Sequence, residues 1–160
     1  MYDTKNDLAA EVRGKVVELL NRRLADAIDL GAQVKHAHWN VKGPNFIALH
    51  ELFDQIAERI EDHIDSIAER ITALGGIAHG TIAAVAKTSS LKAYPEEISD
   101  GLRHVDALSS AIADFGAKIR KAIDESDRAG DADTADLFTG MSREIDKDLW
   151  FLEAHLHAQR

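Results

Sequence analysis

Residues 35–55, KHAHWNVKGPNFIALHELFDQ, contain the turn that decides the fold. Gly43 and Pro44 separate two long segments that both repeat apolar residues with a helical period. Since proline is favoured in a first helical turn, we expect one helix to end before this turn and another to begin after it. The stretch also places His38 and His50 among aromatic and aliphatic residues, where a core is expected.

Four segments repeat apolar residues at steps of three and four, as amphipathic helices do. They cover residues from about 7–38, 45–74, 101–127 and 133–157. The first and third connections are short, which predicts antiparallel neighbours, whereas the connection over residues 75–99 is long. We expect a short helix near residues 95–98 within it, and Asp133 as the N-cap of the last helix. The prediction is an all-α, single domain over residues 1–160: a ferritin-like four-helix bundle whose long crossover joins helices two and three.

Composition excludes several classes of function. The chain has 160 residues and no cysteine, so disulfides and thiol chemistry are ruled out. It has no run of about 18 apolar residues, and its first residues lack a signal-peptide pattern, so we expect a cytoplasmic protein without a membrane span. Its formal charge of −9 disfavours DNA, because affinity for DNA depends on lysine and arginine neutralising phosphates.

One face of the second predicted helix carries a histidine and three carboxylates. With about 100° per residue and His50 at zero, Asp54 lies near 40°, Asp65 near 60° and Glu69 near 100°. They form two pairs four residues apart, His50 with Asp54 and Asp65 with Glu69, and such pairs can chelate one ion. Mixed imidazole and carboxylate ligands suit iron, zinc or manganese. His38, at the end of the first helix, can approach His50 across the short turn.

The alternative for such residues is a solvated helix face, and we assign Glu51, Glu58, Glu61 and Asp62 to it. The remaining histidines lack comparable partners and are expected at the surface or in packing: His36, His63, His79, His104, His155 and His157. Taken alone, Trp39 and Trp150 predict core positions. The Glu-x-x-His motif of the ferritin di-iron centre is absent from the sequence.

Four stretches resemble the DNA-protection-during-starvation (Dps) family of miniature ferritins: HWNVKGPNF, LHELFD, DHIDSIAERITALGG and DTADLFTGMSREIDKDLWFLE. The resemblance covers nearly the whole chain. It implies a homo-oligomeric, twelve-subunit cage that oxidises Fe(II), typically with hydrogen peroxide, and stores Fe(III) mineral. It also implies a ferroxidase site shared between two-fold-related subunits, with His38, His50, Asp54, Asp65 and Glu69 as iron ligands. Trp39 and Trp150 are similar to family residues thought to intercept oxidising equivalents.

Helix geometry supports a site built from two chains. Asp54 and Asp65 are eleven residues apart, roughly 16 Å along a helix, whereas ligands lie about 2 Å from a first-row metal. Two copies packed about a two-fold axis would set His38, His50 and Asp54 of one chain against Asp65 and Glu69 of the other, giving two equal sites.

Two rival functions remain: a DNA-compacting protein and a di-metal oxygenase. Dps proteins that bind DNA usually use a lysine-rich tail, but residues 1–10 contain one lysine and two aspartates, and the chain ends HLHAQR. An oxygenase would need an apolar substrate pocket, which the sequence does not indicate.

Three aspartates, Asp127, Asp131 and Asp136, cluster at the turn between the third and fourth predicted helices. If such turns meet at a three-fold axis of a cage, a ring of carboxylates there would attract cations. The alternative is that they cap the helix.

Overall fold

The computed structural model describes residues 1–157, which form four long α-helices and one short one. The helices are α1 (Ala10–Asn40), α2 (Phe46–Ala73), α3 (Ile82–Thr88), α4 (Gly101–Ala129) and α5 (Ala132–His157). Helix α1 packs along α2 and α4 packs along α5, while contacts between α1 and α4 join the two hairpins. The predicted all-α fold, with a long crossover between the second and third long helices, is confirmed. No helix in residues 1–157 is long and apolar enough to cross a membrane.

The apolar stripes of the four long helices meet in one core. Its largest fully buried side chains include Phe53 on α2, Phe115 on α4 and Phe138 on α5. Burial of side chains of this size contributes about 1.5–3 kcal/mol each relative to exposure. Phe46, predicted as the first stripe residue of α2, is 39% exposed, so the buried stripe of α2 begins instead at Leu49.

The turn between α1 and α2 is tied to the start of α4. Gly43 adopts a φ of 111°, which other residues rarely tolerate, and its carbonyl accepts a hydrogen bond of 3.0 Å from the amide of Phe46. The amide of Lys42 donates to the carbonyl of Ser99 at 2.8 Å. A Cβ on Gly101 would lie 2.6 Å from a methyl of Leu49, so glycine permits this close approach. The turn is therefore fixed on both sides.

The crossover contains its short helix at a different place from the predicted one. Helix α3 spans Ile82–Thr88, and Thr81 caps it by accepting a hydrogen bond from the amide of Ala84 at 3.4 Å. Residues 95–98 form no helix, so that prediction is wrong. Thr81 provides the N-cap of the helix that forms, whereas Ile98 is buried in the irregular segment before α4.

The N-cap of α5 is Asp131 rather than the predicted Asp133. Oδ1 of Asp131 accepts from the amide of Thr134 at 3.1 Å, and Oδ2 accepts from its hydroxyl at 2.6 Å. The reason is the length of the turn: α4 ends at Ala129 and α5 begins at Ala132, so Asp131 already stands at the capping position.

Candidate metal centre

His38 and His50 face each other across the α1–α2 turn. Their rings are stacked, with centroids 3.8 Å apart and planes inclined by 20°. Nδ1 of His38 lies 2.8 Å from the carbonyl oxygen of His50, and Nδ1 of His50 lies 2.9 Å from the carbonyl oxygen of His38. A carbonyl oxygen only accepts, so both Nδ1 atoms carry the proton and donate. In the neutral form of either ring, this leaves the lone pair on Nε2, the nitrogen that is then free to bind a metal.

The sequence explains why these two rings meet. His38 continues the buried stripe of α1 one turn after Val34 and is already buried in the single chain. His50 lies in the second turn of α2, half-buried beside the ring of Phe46 at 5.1 Å. The five-residue connection folds the end of α1 onto the start of α2, which brings both side chains to one end of the hairpin.

Asp54 joins the two histidines one helical turn further along α2. Its Oδ1 lies 3.9 Å from Nε2 of His38. The same oxygen accepts a hydrogen bond of 2.7 Å from Nζ of Lys35 on α1. This hydrogen bond holds the pKa of the Asp54 carboxyl below its ordinary value; partial burial opposes the shift, and the positive charge of Lys35 reinforces it. The ammonium of Lys35 thus occupies a position next to Asp54 that a metal cation would also favour.

Asp65 and Glu69 lie further along α2, away from the histidines. Both are exposed, and within residues 1–157 neither carboxylate has a hydrogen-bond or ion-pair partner. No group of three or more histidine, aspartate or glutamate side chains in that part of the chain is arranged to hold a metal ion. The structure brings His38 close to both His50 and Asp54 without arranging the three as a complete metal site. It leaves Asp65 and Glu69 apart, so a site shared between two chains remains a prediction.

An open groove runs between α1 and α2 beside Lys35 and Asp54. It has a volume of about 530 Å³ in the part lined by Lys35, Trp39, Asp54 and Ile64. Trp39 is 70% exposed at its edge, and Trp150 on α5 is 62% exposed. The expectation that both tryptophans belong to the core is wrong for the single chain, because their rings point away from the four-helix interior.

The three aspartates around the turn between α4 and α5 have different environments. Asp127 and Asp136 are exposed, as residues lining an aqueous path would be. Asp131 is 1% exposed, and its Oδ1 accepts from Nη2 of Arg70 at 2.7 Å. Asp131 therefore joins α2 to the start of α5, in addition to capping α5.

The ion pairs that Lys35 and Asp148 make between helices were not predicted from the sequence. Asp148 is buried, and its Oδ1 accepts from Nε and Nη2 of Arg59 at 2.9 and 2.6 Å. Burial raises the pKa of Asp148, and Arg59 opposes that shift. Lys35 could have been found from its position one helical turn before His38, on the side of α1 that faces α2. No local signal identified the Arg59–Asp148 pair, because its two members are far apart in the sequence.

The comparisons with known proteins agree with this fold. A sequence model of the ferritin-like domain matches residues 17–160. The DNA protection during starvation protein of Agrobacterium fabrum is 51% identical over 155 residues, covering 97% of this chain and 96% of that protein. The protein of the same name from Brevibacillus brevis is 34% identical over 152 residues, covering 93% of this chain and 99% of that protein.

Solved structures extend the likeness to three dimensions. The tetragonal form of Mycobacterium smegmatis Dps matches with a TM-score of 0.92 at 34% identity, covering 96% of this chain and 94% of that chain. DpsA14 from Streptomyces coelicolor matches with a TM-score of 0.92 at 36% identity, covering 97% of this chain and 91% of that chain. The helical bundle and the matched domain define a ferritin-like protein. Within that class, the chain belongs to the Dps family.

Proposed function

We propose that this chain is the subunit of an iron-storage cage that oxidises Fe(II), with hydrogen peroxide as the oxidant, and keeps the Fe(III) as mineral. The observation that carries the proposal is the stacking of the His38 and His50 rings, with the Asp54 carboxylate 3.9 Å from Nε2 of His38. Imidazole and carboxylate together are a ligand set that suits iron. Membership of the Dps family and the similarity to Dps structures support the same function.

The proposed ligands have complementary roles in oxidation. His38 and His50 bind Fe(II) as neutral groups, whereas Asp54, Asp65 and Glu69 add negative charge. Negative charge stabilises Fe(III) more than Fe(II), because the attraction scales with the charge of the ion. Two Fe(II) ions each lose one electron, and the two electrons with two protons cleave the peroxide O–O bond to give water. Taking both electrons in one event avoids release of hydroxyl radical.

The complete site requires a second copy of the chain. In this proposal, the exposed Asp65 and Glu69 of one subunit approach the His38, His50 and Asp54 cluster of its two-fold partner. The open groove between α1 and α2 lies between the two half-sites on each chain and would be covered in such a dimer. Six dimers would form the twelve-subunit cage typical of the family, in the cytoplasm.

A mixing experiment tests the shared site. One variant carries His38→Ala and His50→Ala, and the other carries Asp65→Ala and Glu69→Ala. Each homo-oligomer is expected to lack fast peroxide-dependent Fe(II) oxidation, measured by absorbance under anaerobic conditions. After the two are dissociated and reassembled together, mixed dimers would contain one complete site, so part of the activity should return.

The matched controls are exposed residues of the same types. His79→Ala replaces an exposed histidine, and Glu51→Ala with Asp62→Ala replaces two exposed carboxylates of α2. Both control proteins should oxidise Fe(II) at the unmodified rate. Verified mixed assembly without any recovery of activity would show that the sites are built within single chains.

Two accessory roles belong to the same proposal. Asp127 and Asp136, which are exposed, would attract Fe(II) to an entry channel where three subunits meet; the buried Asp131 would hold the nearby turn in place through Arg70 and Thr134. Trp39 and Trp150, both exposed on the isolated chain, would lie near the iron in the assembled cage and donate electrons to stray oxidants. DNA binding is not proposed here, although relatives are named for DNA protection, because the net charge of −9 opposes a polyanion.

A further inference from the structure

Tyr94 and His104 form a hydrogen-bonded pair outside the candidate metal centre. Oη of Tyr94, in the crossover, lies 2.7 Å from Nδ1 of His104, in the first turn of α4. The two rings are nearly parallel, with planes inclined by 13° and centroids 6.0 Å apart. His104 is completely buried, and Tyr94 is partly buried. Neither residue has a role in the proposed ferroxidase chemistry.

Protonation states make the phenol the donor of this hydrogen bond. Burial raises the pKa of Tyr94, so its hydroxyl keeps the proton at neutral pH. Burial also lowers the pKa of His104, and the nearby His36 acts in the same direction, while the backbone of Ile98 opposes them. The imidazole is therefore neutral, and its Nδ1 accepts the phenolic proton.

A phenol hydrogen-bonded to a neutral imidazole has the chemistry of a one-electron donor. When a phenol loses an electron, it becomes a strong acid and must release its proton. Oxidation is therefore easiest where a base lies within hydrogen-bond distance of the hydroxyl. The electron leaves the ring of Tyr94 and the proton moves from Oη to Nδ1 of His104. The products are a neutral tyrosyl radical and an imidazolium. Nε2 of His104 is buried away from solvent, so the transferred proton cannot pass directly to water through it.

The pair also lies against the helices that carry the proposed iron ligands. The ring of His36, two residues before His38, contacts Tyr94 edge-on at 5.4 Å. The ring of Phe53, next to Asp54, contacts His104 at 6.4 Å. An oxidant produced at the metal centre would therefore be only a few side chains from Tyr94.

We propose that Tyr94 is a redox-active residue that reduces one-electron oxidants, with His104 as the acceptor of its proton. The oxidant is of the hydroxyl-radical class, formed when a single Fe(II) cleaves hydrogen peroxide. Such a radical takes the electron of Tyr94 and becomes hydroxide, while the proton stays on His104. This role goes beyond the proposed ferroxidase function and is tested without iron.

The chain suits an assignment by electron paramagnetic resonance, because it contains two tyrosines, Tyr2 and Tyr94. Flash oxidation of the assembled protein with a ruthenium tris-bipyridine sensitiser and persulfate, followed by freezing, should produce a tyrosyl signal. The signal should persist in Tyr2→Phe, the matched control whose side chain is exposed, and disappear in Tyr94→Phe. A signal that is lost in Tyr2→Phe and unchanged in Tyr94→Phe would overturn the proposal.

His104→Gln separates a proton acceptor from a merely structural contact. The radical yield should fall several-fold, and the largest g value at high field should rise, because the hydrogen bond to the radical oxygen is lost. Equal yield and equal g values would show that His104 takes no proton. Should this variant fold poorly, electron–nuclear double resonance of the unmodified protein in H₂O and D₂O decides instead, since the radical must couple to one exchangeable proton.

A second experiment uses Fe(II) and hydrogen peroxide in place of the flash. Anaerobic Fe(II) loading followed by limiting hydrogen peroxide should produce the same Tyr94 signal if the oxidant arises at the metal centre. If the Tyr94 signal appears after flash oxidation but not after Fe(II) and peroxide, the redox role of the Tyr94–His104 pair stands and its link to iron chemistry is overturned. Loss of ferroxidase activity in the mixing experiment, with the flash signal intact, would overturn only the proposed function.

Discussion

The ammonium of Lys35 is closer to the carboxylate of Asp54 than any histidine nitrogen is. Nζ of Lys35 lies 2.7 Å from Oδ1, whereas Nε2 of His38 lies 3.9 Å from the same oxygen. A positive charge of the protein itself therefore stands where an incoming cation would bind. It holds the carboxylate ionised and in place, but it must withdraw or share this oxygen when a metal arrives.

Replacing Lys35 by methionine should strengthen metal binding. The change removes a competing cation while keeping the aliphatic part of the side chain. Since both partners are more than a third exposed (36% and 44%), solvent screening keeps the gain small, and Kd should fall by roughly a few-fold at most. Titration with Co(II), followed by its absorption spectrum, measures this without iron turnover.

Lys15→Met is the matched control for that experiment. Lys15 makes an ion pair of similar length with Glu11, at 2.6 Å, near the opposite end of α1. The Co(II) affinity of this variant should equal that of the unmodified protein. A Lys35→Met protein with unchanged or weaker Co(II) binding would show that Lys35 does not compete with the metal.

Asp131→Asn should reduce stability. The substitution weakens the buried ion pair with Arg70 and the cap of α5, and leaves the guanidinium only partly compensated. Breaking one partner of a buried pair costs about 3–5 kcal/mol, and the isosteric amide should reduce that to about 2 kcal/mol. Urea unfolding at fixed protein concentration measures the change, and Asp133→Asn, at an exposed neighbouring carboxylate, should be within about 0.5 kcal/mol of the unmodified protein.

The channel hypothesis is consequently better tested at Asp127 and Asp136. Both are exposed, so Asp127→Asn with Asp136→Asn should leave the unfolding free energy nearly unchanged. Iron uptake by the assembled cage should nevertheless slow several-fold at low ionic strength and less at high ionic strength, because the attraction is screened. Stopped-flow uptake at two salt concentrations is the measurement; equal rates for the variant and the unmodified protein would count against a carboxylate channel here.

Arg59→Met should destabilise the protein in a pH-dependent way. Arg59 donates both of its hydrogen bonds to the buried Asp148, and removing it strands a buried carboxylate at a cost of about 3 kcal/mol at pH 7. The folded pKa of Asp148 is already raised by burial and rises further without Arg59. A raised carboxyl pKa costs stability as pH increases through it, so the difference between variant and unmodified protein should shrink as pH falls toward 4.

Urea unfolding at pH 7 and at pH 4.5 checks this sign. Arg120→Met is the control, because Arg120 pairs with Asp146 at 2.8 Å on the surface, with side chains 50% and 56% exposed. That variant should differ from the unmodified protein by less than about 1 kcal/mol at both pH values. A destabilisation of Arg59→Met that grows at the lower pH would contradict the assignment of Asp148 as the stranded charge.

Plasmid DNA should not be retarded by the assembled protein. Phosphate binding would require a basic surface, yet the chain carries a net charge of −9, and its described N-terminal residues 1–9 are short of lysine. A gel shift at about 50 mM salt is the measurement, with a basic DNA-binding protein as the positive control. Retardation that disappears with added salt would restore the rival DNA-compacting function. The last three residues, part of the HLHAQR end, lie outside the described part of the chain.

Periodicity alone predicted the four long helices, because each contributes several turns of apolar residues to one core. It failed for α3, whose seven residues are too few to show a period. The proximity of His38 and His50 followed from the short turn between two helices. By contrast, the bonds between Lys35 and Asp54, and between Arg59 and Asp148, depend on how helices pack, and no local pattern specifies that.

The crossed bonds between His38 and His50 also constrain the length of the chain between them. Each imidazole is bonded to the peptide carbonyl of the other residue, so the ends of α1 and α2 have one rotational register. Inserting or deleting one residue between 39 and 49 would change the length of chain that both hydrogen bonds span and should break at least one of them. A peptide displayed on this subunit by engineering would therefore have to enter the chain elsewhere.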